Sequence, residues 1–212
     1  YQVTRGLLDE FGRTRVRDTP CSEIAIVGVS IGAALAGMRP VAELQFADFI
    51  FCAMDQVVNQ AAKLRMMFGG QAKVPIVIRA PQGATGRAAQ HSQSVEAYFM
   101  HTPGIKVVLP SDPYDARGLL AAAIRDDNPV LFLEHKLLYW SESGPIDFDG
   151  NLPAVWRPRR YTQGTDLTVL AFGAMVREAI AAAEQCGKSV EVWNPFVLQP
   201  LELAPIIRSV EK

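Results

Sequence analysis

An α/β fold with a parallel sheet flanked by helices is what the 212-residue sequence predicts, from three observations. Short β-branched runs alternate with longer helical patterns, the order from which crossover helices build a parallel sheet. The runs are apolar throughout rather than alternating, as strands covered on both faces must be. Between them stand ordinary helix starts and stops, an Asp-Pro pair before one helix and single glycines after others.

Taken in chain order, residues 23–36 come first, rich in Gly, Ala, Ile and Val all round with no charge after Glu23. Such a helix belongs buried between layers or between subunits. Phe49, Ala53, Val57, Ala61 and Leu64 then recur every three or four residues, predicting a helix that stops at Gly69-Gly70. Pro75-Ile76-Val77-Ile78, Lys106-Val107-Val108-Leu109, Val130-Leu131-Phe132-Leu133 and Leu167-Thr168-Val169-Leu170 read as buried strands, with Val190-Glu191-Val192 as a fifth. Asp112-Pro113 supplies an N-cap and a first-position proline ahead of residues 116–125, and a helix over residues 174–186 ends at Gly187. Residues 141–163 hold Pro145, Gly150, Pro153 and Pro158 with little periodicity and read as a linker, after which a second α/β unit starts near Asp166.

Composition excludes several functions. Twenty-one basic residues against 22 acidic ones, net charge -1, leave no footprint for nucleic acid. No apolar run approaches the roughly 20 residues of a membrane span. Cys21, Cys52 and Cys186 are an odd number without metal-ligand spacing, which points to a reducing compartment. The terminal residues read as elements cut short, so a fragment is expected.

Two side chains stand out chemically. Glu23 opens the apolar helix; a carboxylate there is ordinarily a cap or a dipole partner, but beside so apolar a helix it would also be partly desolvated and suited to sharing a proton. His91, in Gln90-His91-Ser92-Gln93, follows the loop Gln82-Gly83-Ala84-Thr85-Gly86 beyond a strand, where parallel sheets bind ligands. A lone histidine is more often structural, yet a polar loop suits acid–base work. His101 and His135 read as structural or surface residues. Walker, dinucleotide-fingerprint and nucleophile-elbow motifs are all missing from the sequence.

Several segments together resemble a known family: Val3-Thr4-Arg5-Gly6-Leu7, Asp18-Thr19-Pro20-Cys21-Ser22-Glu23, Ala34-Leu35-Ala36-Gly37-Met38-Arg39-Pro40, Asp55-Gln56-Val57-Val58-Asn59-Gln60, Gln90-His91-Ser92-Gln93, Pro103-Gly104-Ile105-Lys106 and Asp126-Asp127-Asn128-Pro129. In order and spacing they are similar to the beta subunit of the thiamine-diphosphate-dependent decarboxylating component of 2-oxo acid dehydrogenase complexes. The resemblance implies a transketolase-like pyrimidine-binding domain over residues 1–145, a linker over 146–163 and a partial transketolase C-terminal domain over 164–212. It also implies that Glu23 hydrogen-bonds the cofactor's aminopyrimidine, that Phe49 packs on that ring and that His91 stands near the substrate carboxylate and the lipoyl group. Ile76, Ala123, Ile124, Asp126 and Asn128 align with a potassium site seen in some members. The Gly-Asp-Gly…Asn motif for magnesium and diphosphate is absent here, since Asp149-Gly150-Asn151 lacks its first glycine and spacing. Mg2+ is therefore expected on an alpha subunit, in an assembly of two alpha and two beta chains serving a dihydrolipoyl acyltransferase core.

The implied reaction is oxidative decarboxylation of a 2-oxo acid with reductive acylation of a lipoyl arm. Leu133-Glu134-His135-Lys136-Leu137-Leu138-Tyr139 leans towards a pyruvate or acetoin substrate rather than a branched-chain one. A bacterial member would be cytoplasmic and a eukaryotic one would lie in the mitochondrial matrix. The rival readings are a fragment of a single-chain transketolase or deoxyxylulose-phosphate synthase, and a non-catalytic scaffold in which Glu23 is only a cap.

Overall fold

The computed structural model describes residues 2–145 and 156–211. Its strands, in chain order, are β1 (Val41–Glu43), β2 (Val77–Gln82), β3 (Lys106–Val108), β4 (Val130–His135), β5 (Arg159–Thr162), β6 (Leu167–Leu170), β7 (Val190–Asn194) and β8 (Val197–Gln199). The α-helices are α1 (Leu7–Phe11), α2 (Glu23–Leu35), α3 (Leu64–Met67), α4 (Glu96–Met100), α5 (Pro113–Arg125), α6 (Leu138–Ser141), α7 (Met175–Gln185) and α8 (Ala204–Val210).

The main sheet has the order β1-β2-β4-β3-β8, parallel except for β8, which runs antiparallel to β3. β2 and β4 form its centre, in register from Val77 opposite Val130 to Gln82 opposite His135. Every residue of β2 is buried; the apolar run over residues 75–78 foretold its start, whereas Arg79 and Gln82 are buried polar residues. Alternation sends Ile78, Ala80, Leu131 and Leu133 into one core with Val27, Ile31 and Ile50, and Val77, Val130 and Phe132 into another with Leu119 of α5.

The local signals held where they were strongest. The Asp112 carboxylate accepts from the Asp115 amide at 2.7 Å, with Pro113 in the first turn, so α5 starts where its cap and proline put it. α7 closes at Cys186 ahead of Gly187 at φ 66°.

Residues 47–67 depart from the single helix expected there. Ala47–Ala53 winds as a 3₁₀-helix, Asp55–Ala61 as a π-helix, and only α3 is α-helical. Buried Ala47, Ile50 and Ala53 recur every third residue, then Val57 and Ala61 every fourth, so the winding loosens to keep one face on the sheet. Phe49 falls off that face and is half-buried.

α2 is buried by the chain on one face. Val27, Ile31 and Ala34 are buried against the chain, whereas Val29 is 73% exposed and Ile24 and Leu35 are exposed too. Part of this helix's apolar surface is thus left uncovered by the described residues.

The second sheet has the order β5-β7-β6, with β6 parallel and β5 antiparallel to β7. The expected linker over 146–163 lies partly outside the described residues; within them, Arg159–Thr162 is a strand rather than a connection. Its Arg-Arg-Tyr-Thr sequence has no apolar run to announce it, and pairing with β7 supplies its order. β6, expected to be buried, exposes Leu167 and Leu170 because it lies at the sheet's edge. β8 leaves this half of the chain to extend the main sheet.

Candidate active site

Three elements converge beyond the carboxyl ends of the parallel strands, the side on which such sheets bind ligands. Only residues 36–40 separate α2 from β1, and the two pack together, so the helix runs back along the strand and brings Glu23 towards that side. α2 also packs on the 3₁₀-helix that carries Phe49. The loop after β2 carries His91, in a single 3₁₀ turn over Ala89–His91.

The structure brings Phe49 and His91 together. Their rings meet edge to face, centroids 5.4 Å apart, and Phe46 meets the His91 ring at 4.7 Å and the Phe49 ring at 6.2 Å in the same manner. Phe46, Phe49 and His91 are each half-buried, forming an aromatic wall open on one side. Glu23 is likewise half-buried, at the helix tip.

Beneath the wall lies a charged layer that the sequence did not single out. Lys136, directly after β4, is 1% exposed and donates to the His91 carbonyl at 2.5 Å. Its ammonium also stands 5.1 Å from the Phe46 ring centroid. Asp48, 5% exposed, accepts from the Gln93 amide at 3.1 Å through Oδ1, while its Oδ2 is buried without a partner. Burial pulls the Lys136 pKa below its ordinary value, with the Arg87 charge adding to that and Asp48 opposing it.

Two further contacts shape the floor. Gln82 is buried, donating to Glu96 at 2.8 Å and accepting from the Val95 amide at 3.0 Å. His135, opposite Gln82 in the sheet, lies flat against Gly83, whose φ of +93° and missing side chain admit the ring; a Cβ there would sit 2.2 Å from Nε2. Burial lowers the His135 pKa, Lys136 lowers it further and Glu96 opposes both. His101 is exposed.

The five residues aligned with a potassium site lie away from this wall, around the end of α5. There the Ile124 and Asp126 carbonyls accept from Arg39 Nη1 at 3.1 and 2.9 Å, the Ala123 carbonyl from the Asp126 amide at 3.2 Å and the Ile76 carbonyl from the Val130 amide at 2.9 Å. The Asp126 carboxylate accepts from Asn128 at 2.9 Å and pairs with Lys106. Four of the five residues thus already serve protein donors through their carbonyls. Among the described residues no group of three or more His, Cys, Asp or Glu is placed to hold a metal ion, and no helix is long and apolar enough to cross a membrane.

A half-buried carboxylate at a helix tip can accept a hydrogen bond, and a wall of rings meeting edge to face offers apolar contact to a planar heterocycle. The transketolase pyrimidine-binding-domain family matches residues 1–141, and the transketolase C-terminal-domain family matches residues 158–212. The chain is 45% identical over 216 residues to the 2-oxoisovalerate dehydrogenase subunit beta of Bacillus subtilis, covering 100% of this chain and 66% of that protein. It is 48% identical over 214 residues to the acetoin:2,6-dichlorophenolindophenol oxidoreductase subunit beta of the same organism, covering 99% and 62%. Against the pyruvate dehydrogenase E1 component subunit beta of Rhizobium meliloti it is 45% identical over 216 residues, covering 100% and 47%. The chain therefore spans between 47% and 66% of the length of these relatives.

Among solved structures, a split-gene transketolase described as an inactive beta4 tetramer superposes with a TM-score of 0.80 at 21% identity, over 99% of this chain and 66% of that one. At that identity the likeness is one of fold. The chain belongs to the transketolase family of pyrimidine-binding domains, and along its length it is similar to the beta subunits of pyruvate and 2-oxoisovalerate dehydrogenases and of an acetoin oxidoreductase.

Proposed function

We propose that this chain is the beta half of a thiamine-diphosphate-dependent 2-oxo acid dehydrogenase, acting on a pyruvate-type substrate and passing the acyl group to a lipoyl domain. The observation that carries this reading is the half-site itself. A helix-tip carboxylate stands on α2, which packs on the element carrying the aromatic wall, and the apolar side chains Ile24, Val29 and Leu35 of the same helix are left uncovered. A site so open on one side requires a second chain to complete it, and the alpha subunit is the partner that the names of the relatives imply.

In this reading Glu23 holds and shares a proton with the aminopyrimidine, Phe49 packs on the face of that ring, and His91 orients the substrate carboxylate. When bound, the cofactor would supply a nucleophilic carbanion for the 2-oxo carbon and an electron sink for the electron pair released with CO2. The chain's own contribution is positional: it fixes one end of the heterocycle, keeps water from its aromatic face and sets an imidazole beside the reacting group. The alpha subunit holds Mg2+ and the diphosphate, and an acyltransferase core supplies the lipoyl arm.

Titration calorimetry with thiamine diphosphate and Mg2+ tests the shared site. Binding by the mixture of full-length alpha and beta chains, with none by either alone, is the expected outcome. Tight binding by the beta chain alone would overturn the shared-site reading and favour a single-chain transketolase type. We further propose that potassium binds at the end of α5, where each carbonyl oxygen retains a second lone pair. Exchanging K+ for Na+ should then lower the melting temperature; an unchanged melt would leave Arg39 to neutralise those carbonyls by itself.

A further inference from the structure

We propose that Lys136 and Asp48 form a buried positioning pair that fixes the His91 loop from below and thereby sets the pose of the imidazole. The inference rests on the reading of His91 given above, but its structural grounds are separate. The loop between β2 and α4 is thinly held by its own backbone: Gly83 donates to the Gln93 carbonyl at 2.9 Å, and His91 reaches the Ala88 carbonyl at only 3.4 Å. Against these stand two bonds to ionised side chains from other parts of the chain. Lys136, from the end of β4, holds the His91 carbonyl, and Asp48, from the 3₁₀-helix, holds the Gln93 amide two residues on.

The same lysine touches the site a second way. Its ammonium lies over Phe46, and Phe46 meets the His91 ring edge to face at 4.7 Å. Backbone and ring of His91 are therefore both referred to one buried cation. Such an arrangement is expensive for the fold, because a charge removed from water must be matched by partners. Asp48 Oδ2 is itself left without a partner, and the neighbouring Ser92 hydroxyl is buried and unpartnered too. Stability alone would favour an apolar side chain at position 136. The pair makes sense as a device that restricts a short loop whose tip must present one imidazole in one orientation.

The test compares Lys136→Met, Asp48→Asn and the double variant Asp48→Asn/Lys136→Met in the full-length chain assembled with its alpha partner. Hydrogen exchange across residues 88–95 and the NMR signals of the His91 imidazole report on the loop without reference to turnover. Lys136→Met should speed exchange in that segment by about tenfold or more, as loss of a hydrogen bond to a charged group implies, while β2 and β4 stay protected. The His91 signals should shift or broaden, and turnover should fall about tenfold with little change in substrate KM. Adding Lys136→Met to His91→Ala should cause no further loss. If Lys136→Met fails to fold, the double variant removes both charges together and must show the same loop and imidazole changes.

Unchanged exchange and unchanged His91 signals in a folded variant lacking Lys136 would overturn the proposal. Should His91→Ala retain full turnover, the reading of His91 as an active-site group falls. The exchange and NMR results would still decide whether the pair holds the loop.

Discussion

Replacing Arg79 with methionine tests whether β1, β2 and β4 are held together by a buried ionic network. Arg79 is 6% exposed, and its Nη2 donates to both oxygens of Glu134, at 2.9 and 2.8 Å, with Nε at 3.2 Å from one of them. Its Nη1 reaches Glu43 on β1 at 3.2 Å, so one guanidinium ties three adjacent strands. Burial alone would lower its pKa, but Glu134 and Glu43 raise it beyond the ordinary arginine value. Methionine fills similar space but leaves the Glu134 carboxylate, 13% exposed, with the Tyr139 hydroxyl at 2.7 Å as its remaining donor in this network. Breaking a buried pair from one side costs about 3–5 kcal/mol. Glu134→Gln in the Arg79→Met background should recover about half of that, because no charge is then stranded. Urea unfolding at pH 7 measures both, read as a shift in midpoint at constant slope. A loss below about 1 kcal/mol for Arg79→Met would show that water reaches Glu134 freely and that the network is not a buried one.

Asp115 is 3% exposed and its pKa is pushed up to about 6, chiefly by burial and also by Asp112, against the Tyr161 hydroxyl and Arg159. A folded-state pKa above the unfolded one means that the native state holds the proton more tightly, so this group's contribution is full below about pH 4 and is lost as pH rises through 6. Stability should fall by up to about 3 kcal/mol across that window, and Asp115→Asn should flatten the slope; identical pH profiles for the two proteins would refute the assignment. Gly83→Ala should cost about 2 kcal/mol or more, through its φ of +93° and collision with His135, whereas Gly86→Ala, at φ +69° with nothing within 4 Å, should show only the backbone part. Equal losses in the two variants would remove His135 from the floor of the site. Glu23→Gln, at a half-buried position, should change unfolding by no more than about 0.5 kcal/mol. In the assembled enzyme it should lower turnover about a hundredfold or more; wild-type turnover would restore the cap-only reading.

What the sequence made legible was whatever depends on neighbours along the chain. β2, β3, β4 and β7 announce themselves by apolar runs, and α5 by its aspartate and proline. β1, β5 and β8 were not read from the sequence, and pairing with β2, β7 and β3 supplies their order. The winding of residues 47–67 was hidden for a related reason. A spacing of three to four apolar residues fits an α-helix on paper, and only contact with the sheet shows that it is three first and four later. In the site, Glu23, Phe49 and His91 emerged because family resemblance adds to what local patterns say. Lys136 and Asp48 did not, since a lysine after Glu134-His135 looks like an ordinary solvated charge. Asp48 did leave a trace: it interrupts Phe46-Ala47-Asp48-Phe49-Ile50-Phe51, a run otherwise wholly apolar. A carboxylate inside such a run must either break the element or be buried with a partner. Searching for the cation that answers it leads to the loop it helps to hold, and from there to the histidine at its tip.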